Sequence, residues 1–480
     1  MNRHIFNIAG LFALLTITGC KKFIAIDPPV TAIAAASVYT DNGTAAAVMT
    51  GIYDRMESNG SGLTDGNSSI SYLIGLSADE LKDYASVTSD RNLYQFYTNA
   101  LSSQTNGTSN NYFWQELYNE IYAANACLEG LGKSPAVTAA MKQQLTGEAK
   151  FMRAFLHFYG TLLYGDVPLV TSTDYITNNS IRRTSQSEVF QQVVKDLTEA
   201  QQALSDVYVD AGGNPVTLRI RPNKAAATAL LARVYLYMGK NDLAEAQASA
   251  VINNTQYHLQ ADLNKVFKAS SPDEAILQFI PVVPGFNANI ARFLVLTSPP
   301  GTGSFRVALS PFLINAFEVG DARRQNWVGK YTSGTNTYYY PNKYKVYLAN
   351  QPVTEYFMVL RLSEQFLIRA EARAQQGNIT GAADDLNVIR NRAGLPNTIA
   401  ADKPALLASI LHERQTELFT EWGHRWFDLN RTANINSVMG SPGNVCQSKG
   451  GNWSPDWAWL PLPYKEIVYN PNLTQNKGYQ

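Results

Sequence analysis

The stretch from Asn223 to Asn253 constrains the fold most. Apolar residues at helical spacing lie on both sides of Gly239, where a glycine supplies the left-handed backbone that ends a helix. The small residues Ala232 and Ala244 would let two antiparallel helices approach closely, as in tetratricopeptide repeats. Two residues could cap the second helix, namely Asn241 and Asp242. The stretch therefore predicts a helical hairpin of the tetratricopeptide type.

The same pattern recurs without gaps between Ser363 and Arg392. The matched positions are Ala232 with Ala370, Gly239 with Gly377, Ala244 with Ala382, and Val251 with Ile389. One hairpin cannot bury its apolar face alone, so hairpins of this kind stack in series. Two ordinary, unrelated helical hairpins are the alternative. The predicted fold is mostly α, with a scaffold of tetratricopeptide-like helix pairs.

The amino end has the pattern of an export signal at residues 1–19. Arg3 provides the positive start, and Ile5 to Ile17 form an apolar run too short for a membrane span. The run ends Ile-Thr-Gly before Cys20, which resembles a bacterial lipobox and implies cleavage before a lipidated cysteine. An ordinary secretory signal is the alternative. Since no later stretch is long and apolar enough to span a bilayer, we expect a soluble domain held at a membrane by lipid.

The composition argues against nucleic acid as a partner. The chain has 480 residues with 39 basic and 39 acidic side chains, so no strong field would attract nucleic acid. Its 26 tyrosines suit binding surfaces as well as cores. Residues 20–36 predict a lipidated start and a tether, in which Asp27-Pro28-Pro29 favours extended backbone.

Residues 37–480 predict one domain. The helical scaffold is expected over about 37–256 and 357–432, an irregular strand-containing lobe over about 257–356, and an irregular tail over 433–480. Further helices are predicted at Trp114–Leu131, Gly147–Val170 with a stop at Gly165, Ser187–Leu204, and Ala405–Trp422. In the lobe we expect a strand within Ala275–Val283 and a hairpin turn around Gly334–Asn336.

These stretches together resemble the SusD/RagB family of nutrient-binding outer-membrane lipoproteins. The resemblance covers nearly the whole chain and depends on the order of its motifs, which are the lipobox at Cys20, Glu148–Leu169, Lys224–Tyr237, Arg361–Ala372, Glu413–Leu429 and the Pro471–Asn476 end. It implies a helix-pair scaffold, a lobe carrying the ligand surface, and a SusC-like TonB-dependent transporter as partner. Lys21-Lys22 departs from the acidic residues that surface-exposed members often carry after the lipid cysteine.

Residues typical of catalysis form no recognisable motif. The histidines lack metal-ligand spacing, and His157 within an apolar helix favours a core role. Adjacent carboxylates cannot face each other across a glycosidic bond as a hydrolase needs. Five charged residues near the last scaffold helix are better explained as ion pairs than as a catalytic set: Glu413, Arg414, Glu417, Arg425 and Asp428. Cys127 and Cys446 are expected to be unpaired, and no cofactor or metal is predicted.

The ligand surface is predicted from the chemistry of sugars. An aromatic ring covers the apolar face of a sugar, and amides or arginines bind its hydroxyl rim. One stretch supplies both kinds of group, with Tyr94, Phe96 and Tyr97 as rings and Arg91 and Asn99 as rim groups. The family resemblance adds four lobe residues, namely Phe286, Asn287, Asn289 and Arg292. The alternative for Tyr94 to Tyr97 is that these rings pack inside the lobe. For Tyr338–Tyr340 the sequence favours that alternative over ligand binding.

The function predicted is capture of an oligosaccharide at the outer membrane and its delivery to the transporter without catalysis. A peptide ligand is the first alternative. A surface hydrolase with a carboxylate pair assembled in space is the second, and an adaptor that binds only protein is the third. We expect the protein to face the cell exterior.

Overall fold

The computed structural model describes residues 38–58, 63–64, 66–85, 90–103, 109–270 and 272–479. The predicted signal peptide, Cys20 and the tether at 20–36 lie outside these residues. Within those ranges, none of the helices combines the length and the apolar character that a bilayer span demands.

Helices dominate the described residues. In chain order they are α1 (Asn42–Met56), α2 (Ile70–Ser77), α3 (Arg91–Tyr97), α4 (Ser109–Lys133), α5 (Ala139–Tyr164), α6 (Tyr175–Asn178), α7 (Gln186–Ala203), α8 (Lys224–Tyr237), α9 (Asn241–Ile252), α10 (Ala291–Leu294), α11 (Pro311–Ala316), α12 (Ala322–Asn326), α13 (Leu362–Gln375), α14 (Ile379–Arg392), α15 (Lys403–Glu417), α16 (His424–Arg431), α17 (Ile435–Met439), α18 (Val445–Ser448) and α19 (Tyr464–Tyr469). The strands are β1 (Leu81–Asp83), β2 (Val167–Pro168), β3 (Arg183–Thr184), β4 (Ala275–Phe279), β5 (Val307–Leu309), β6 (Val328–Ser333), β7 (Asn336–Pro341) and β8 (Phe357–Arg361).

The two predicted hairpins are confirmed as α8–α9 and α13–α14. Gly239 and Gly377 end the first helix of each pair with φ of 68° and 84°. The hairpins stack, because Ala232 and Ala244 share a buried cluster with Ala372 of the second pair. The stacking buries apolar faces that neither hairpin could bury alone, which is the physical reason for the repeat.

The predicted cap of α9 is wrong. The helix already begins at Asn241, and the preceding Lys240 makes no side-chain cap bond. The Lys240 amide instead bonds to the carbonyl of Tyr235 across the tight glycine turn. In the second hairpin Asn378 takes the equivalent place and its side chain accepts a bond from the Gly381 amide.

Other predicted elements differ mainly at their ends. Helix α5 ends at Tyr164 before Gly165, as expected. The helix expected to reach residue 422 ends at Glu417, because Thr420 and Trp422 adopt positive φ of 52° and 50°. Strand β4 stops at Phe279. Two helices begin earlier than predicted, at Ser109 instead of Trp114 and at Ala139 instead of Gly147. These differences move the ends of elements without changing their type.

The described residues form four two-stranded antiparallel sheets, β1–β5, β2–β3, β4–β8 and β6–β7. The predicted hairpin at residue 334 is confirmed as β6–β7, with Gly334 at φ 59°. Two of the other sheets join parts of the chain that the sequence assigned to different regions. Strand β1, in the scaffold range, pairs with β5 of the lobe, and β4 of the lobe pairs with β8. The lobe is therefore tied to the scaffold through backbone bonds.

The structure confirms three predictions about core residues. The ring of His157 is buried, lies 3.0 Å from the Arg153 carbonyl, and accepts a bond from the Val170 amide. Burial lowers the pKa of His157 to about 4, so it stays neutral. Cys127 and Cys446 are buried and unpaired.

Candidate functional site

The first part of the candidate site lies at the end of β1. Leu81 and Asp83 point inward, so Lys82 and Tyr84 share the outer face by strand alternation. The Tyr84 amide extends the ladder by bonding to the Arg306 carbonyl at 2.8 Å. The ammonium of Lys82 lies 4.9 Å from the centre of the Tyr84 ring, within the range of a cation–π contact. A cation and a half-exposed ring are thus held side by side.

The second part is the β6–β7 hairpin. Tyr331 lies directly opposite Tyr338, so their side chains share one face. Tyr340 lies opposite Gly329, where a Cβ would come within 2.1 Å of the tyrosine ring. Gly329 is therefore needed for the ring to lie over the neighbouring strand.

The two parts meet edge to face. The rings of Tyr84 and Tyr338 lie 5.5 Å apart at an angle of 83°. This is a favoured geometry for aromatic pairs, and both side chains stay half-buried. We call the residues Lys82, Tyr84, Tyr97, Tyr331 and Tyr338 the tyrosine surface. Tyr97 belongs to it because α3, which ends at Tyr97, contacts β1. Burial, together with the nearby Asp83 and Tyr84, raises the pKa of Tyr97 to about 12.

Lys449 of the carboxy-terminal tail contacts both the end of α2 and the tyrosine surface. The ammonium of Lys449 donates to the carbonyls of Leu76 and Ser77 at 2.7 and 3.1 Å, at the end of α2. A cation is favourable there because the carboxyl end of a helix carries partial negative charge. The same ammonium lies 5.2 Å from the Tyr97 ring. Burial lowers the pKa of Lys449 to about 7.

The structure separates the predicted residues of α3 into two kinds. Arg91 is exposed, and Tyr94 and Tyr97 are half-buried, so these three side chains can reach a ligand. Phe96 is fully buried with its ring edge-on to Phe113 at 6.3 Å, and it cannot present a surface as predicted. The reason is that the stretch is a helix, whose inward face anchors it to the core.

Asn99 follows α3 and is also buried. Its side-chain amide donates to the Ser77 carbonyl at 3.1 Å, while the Cys446 thiol donates to the Thr98 carbonyl at 3.3 Å. These bonds hold the end of α3 against α2 and the tail. Asn99 therefore holds the backbone in place, and the prediction that it binds the ligand rim is not supported.

The four predicted lobe residues divide in the same way. The Arg292 guanidinium lies 3.9 Å from the centre of the Phe286 ring and donates to Asn289 at 3.0 Å. Asn287 is buried; its amide nitrogen donates to the Pro352 carbonyl, and its oxygen accepts the amides of Thr354 and Glu355. Buried Asn287 and Asn289 are therefore structural, whereas half-buried Phe286 and Arg292 can face a ligand.

The predicted ligand residues of α3 and those of the lobe lie in two separate places. Helix α10, which carries Arg292, contacts β5, and β5 also pairs with β1. No ring contact within the described ranges joins Phe286 to the tyrosine surface. The sequence alone did not single out Lys82 and Tyr84, and it favoured packing for Tyr338. Strand alternation around Lys82-Asp83-Tyr84 was the available signal, in a segment too short to be recognised as a strand.

The predicted ion pairs are confirmed, but they form a larger structure than expected. The Arg361 guanidinium bonds to Glu417 at 2.6 Å and to Glu421 at 2.8 Å, and all three side chains are buried. Further buried charges extend the cluster, which we call the charge junction; its members are Glu274, Arg323, Arg361, Arg392, Glu413, Glu417 and Glu421. The junction joins β8, the lobe and α15. The surrounding guanidinium groups outweigh burial and hold the pKa of Glu417 well below its usual range.

The remaining predicted charges pair elsewhere. Arg414 bonds to Asp428 at 2.7 Å, and Arg425 bonds to Asp79 through two contacts of 2.8 and 2.7 Å. Asp79 is followed by Glu80, whose pKa burial and the nearby Asp79 raise to about 8. Both carboxyls are buried rather than set across an open cleft. Across the described ranges, no group of three or more His, Cys, Asp or Glu side chains is close enough to hold a metal.

Two family models and several known proteins are similar to this chain. Residues 50–236 match the family described as "Starch-binding associating with outer membrane" (SusD-like), and residues 323–479 match the SusD family (SusD/RagB). SusD-like protein P38 of Formosa agariphila is 26% identical over 422 residues, covering 76% of this chain and 79% of that protein.

Solved structures share the fold. A laminarin-binding SusD-like protein has a TM-score of 0.75 at 24% identity, covering 92% of this chain and 100% of its own. Surface glycan-binding protein A from Bacteroides uniformis has a TM-score of 0.73 at 18% identity, covering 90% of this chain and 98% of its own. At these identities the likeness concerns the fold, which is the stacked helix pairs and attached lobe described above.

Proposed function

This chain belongs to the SusD/RagB family, and from that premise we propose that it captures an oligosaccharide outside the outer membrane and passes it, chemically unchanged, to a SusC-like TonB-dependent transporter. The observation that carries the proposal is the edge-to-face pair of Tyr84 and Tyr338 on the tyrosine surface. Half-exposed rings fixed by backbone pairing offer the apolar face that sugar C–H groups require.

Polar groups beside the rings suit the hydroxyl rim of a sugar. Lys82 lies next to Tyr84, and Arg91 is exposed at the start of α3, which ends at Tyr97. Charged donors form stronger hydrogen bonds to hydroxyl oxygens than neutral ones do. Phe286 and Arg292 would supply a second ring and cation, separate from the tyrosine surface, for a longer chain of sugars.

Binding without catalysis is favoured by where the carboxyls lie. A glycosidase needs two of them on either side of an open cleft. Asp79 and Glu80, the adjacent carboxylates with one raised pKa, are buried, and Asp79 is held by Arg425. The acidic members of the charge junction are also buried and paired with arginines.

Attachment to the membrane is proposed to occur through lipid on Cys20. The support is the lipobox pattern and the family's association with the outer membrane. Labelling of cells with a radioactive fatty acid tests it directly, since the wild-type chain is expected to be labelled and Cys20→Ser is not. A label that survives the substitution would contradict the proposed anchor.

Calorimetric titration of the purified protein tests the proposed ligand class. The panel contains β-1,3-glucan, α-glucan, xylan and mannan oligosaccharides together with mixed peptides. We expect one glycan class to bind with micromolar to millimolar affinity, and mass spectrometry to recover the ligand intact. Binding of peptides alone would support the peptide alternative, and shortened glycans would support the hydrolase alternative.

A further inference from the structure

The outer face of the β1–β5 pair carries two cations beside one ring. Lys82 lies opposite Ala308, and the bond from the Tyr84 amide to the Arg306 carbonyl continues the pairing by one residue. Tyr84 and Arg306 are therefore cross-strand neighbours, whose side chains lie on the same face with their Cβ atoms about 5 Å apart. Lys82 is on that face too, because it lies two residues before Tyr84 on the strand. An ammonium and a guanidinium thus lie beside the same tyrosine.

The cations of the tyrosine surface are not neutralised by ion pairs. Lys82 and Arg306 are half-exposed, and Arg91 at the start of α3 is exposed. Within the described ranges, none of these three side chains lies within ion-pair distance of a carboxylate. They are therefore charged groups that a ligand can reach.

Two carboxylates occur in the elements that form the surface, which are β1, β5, α3 with its cap, and the β6–β7 hairpin. Asp83 is only 9% exposed and accepts the Ala85 amide at 2.8 Å, and half-buried Asp90 caps α3 through the Leu93 amide at 3.1 Å. Burial, the largest influence, raises the pKa of Asp83 to about 6, while backbone amides and Arg306 oppose the rise. Neither acid therefore cancels the three cations.

The charged groups around Tyr84 differ from those that a neutral sugar needs. Each sugar hydroxyl both donates and accepts, whereas lysine and arginine side chains only donate. The asparagines predicted as rim groups do not supply acceptors, because Asn99, Asn287 and Asn289 are buried. Ser333 and Asn336 can accept, but they lie at the turn of the β6–β7 hairpin. Beside the Tyr84 ring the charged side chains are all donors, which suits a ligand group that only accepts.

We infer that the tyrosine surface takes an acidic glycan, in which a carboxylate or sulfate group binds beside Tyr84 to Lys82 and Arg306. The inference rests on the proposed function and specifies its ligand class. Hydrogen bonds from a cation to an anionic oxygen are shorter and stronger than those to a hydroxyl. The planar guanidinium of Arg306 can give two parallel bonds to such a group, and the ammonium of Lys82 adds a point charge. The sugar that carries the anion then stacks on the Tyr84 ring.

Calorimetric titration with matched pairs of oligosaccharides tests the inference. One pair is an oligogalacturonate and its fully methyl-esterified form, and the other is a carrageenan oligosaccharide and its desulfated form. We expect the acidic member of one pair to bind at least about tenfold more tightly than its neutral partner. The preference should shrink as sodium chloride rises from about 0.05 to about 0.5 M, because salt screens exposed charges. The pair that shows the preference distinguishes a carboxylate from a sulfate.

Charge-removing variants assign the preference to the two cations. Lys82→Gln and Arg306→Gln should each lower the affinity for the acidic member about threefold to tenfold, and together they should abolish the preference. Lys330→Gln is the matched control. Lys330 is an exposed cation of the same hairpin, but it lies opposite Tyr339 and so on the other face from Tyr338. It should leave all affinities unchanged, and circular dichroism should show the same helical content in every variant.

Equal affinities within both pairs would overturn the inference, as would a preference that survives the Lys82→Gln and Arg306→Gln double substitution. Binding of neutral glycans alone would also overturn it while leaving the proposed function intact. Binding of no glycan, acidic or neutral, would overturn the proposed function together with this inference.

Discussion

The charge junction and the tyrosine surface both connect the scaffold to the lobe, yet they use opposite chemistry. In the junction, Arg361, Glu417 and Glu421 are buried, and the Arg361 guanidinium bonds to both carboxylates. On the surface, Tyr84 and Tyr338 are half-exposed rings that meet edge to face, and the ammonium of Lys82 lies beside Tyr84. Buried charges must be paired, whereas exposed aromatic faces can accept a ligand. If the tyrosine surface binds the ligand as proposed, rigidity and binding depend on different residues, so each can be changed alone.

The largest effect is expected from breaking the junction. Arg361→Ala removes a cation that bonds to both buried Glu417 and buried Glu421, which should cost about 3–5 kcal/mol in the free energy of unfolding. Urea denaturation measures it. Lys330→Ala, an exposed lysine on β6, is the control and should stay within about 0.5 kcal/mol of wild type. A loss below about 1 kcal/mol for Arg361→Ala would show that the junction does not hold the lobe.

A pH-dependent effect is expected at Glu80, which lies between the junction and β1. Its folded-state pKa of about 8 is above the ordinary value, so its contribution to stability is full at low pH and is lost as pH rises through 8. Glu80→Gln keeps the size and shape of the neutral side chain but cannot ionise. Its free energy of unfolding should exceed that of wild type by about 2–4 kcal/mol at pH 9 and by much less at pH 5. A difference that does not vary with pH would contradict a neutral Glu80.

On the tyrosine surface we expect loss of binding without loss of stability. Tyr84→Ala or Tyr338→Ala should weaken glycan affinity about tenfold to a hundredfold, or roughly 1.4–2.8 kcal/mol, by removing a stacking face. Calorimetry measures the affinity, and urea denaturation should show little change. Tyr175→Ala removes a 70% exposed ring on α6 and should leave affinity unchanged. Equal affinities in all three variants would place the ligand elsewhere, with Phe286 and Arg292 the next candidates.

The smallest effect concerns the hairpin turn of the scaffold. Gly239 has a φ of 68° with open space around it, so Gly239→Ala tests backbone strain alone and should cost about 1 kcal/mol. Gly132→Ala is the matched control. Gly132 is also surrounded by open space but lies within α4, so alanine there should stabilise by about 0.5–1 kcal/mol. Effects of the same sign at both positions would contradict the role of the left-handed turn.

Much of the scaffold could be predicted because its signals are local. The spacing of Ala232, Gly239 and Ala244 is set by one helical hairpin, and its repetition around Gly377 predicted the stack. The helix at Arg91–Tyr97 was missed because seven residues carry too little periodicity. As a result Phe96 was taken for a surface residue although it faces the core. Asn99 and Asn287 were predicted to bind the ligand, but they bind backbone groups. An asparagine with either role looks the same in a sequence, because its spatial neighbours are not visible there.

The sequence alone determined that stacked helix pairs would form, since periodic apolar residues and well-placed glycines act over a few turns of chain. Only the tertiary structure decided which tyrosines make a surface. Tyr84 and Tyr338 are far apart in the chain and meet because β1 pairs with β5 and the β6–β7 hairpin packs beside it. Such pairing depends on long-range backbone bonds that leave no local pattern. The same holds for Arg361, whose charge is readable in the sequence but whose partners come from two separate segments of the chain, one around Glu274 and one at Glu417 and Glu421.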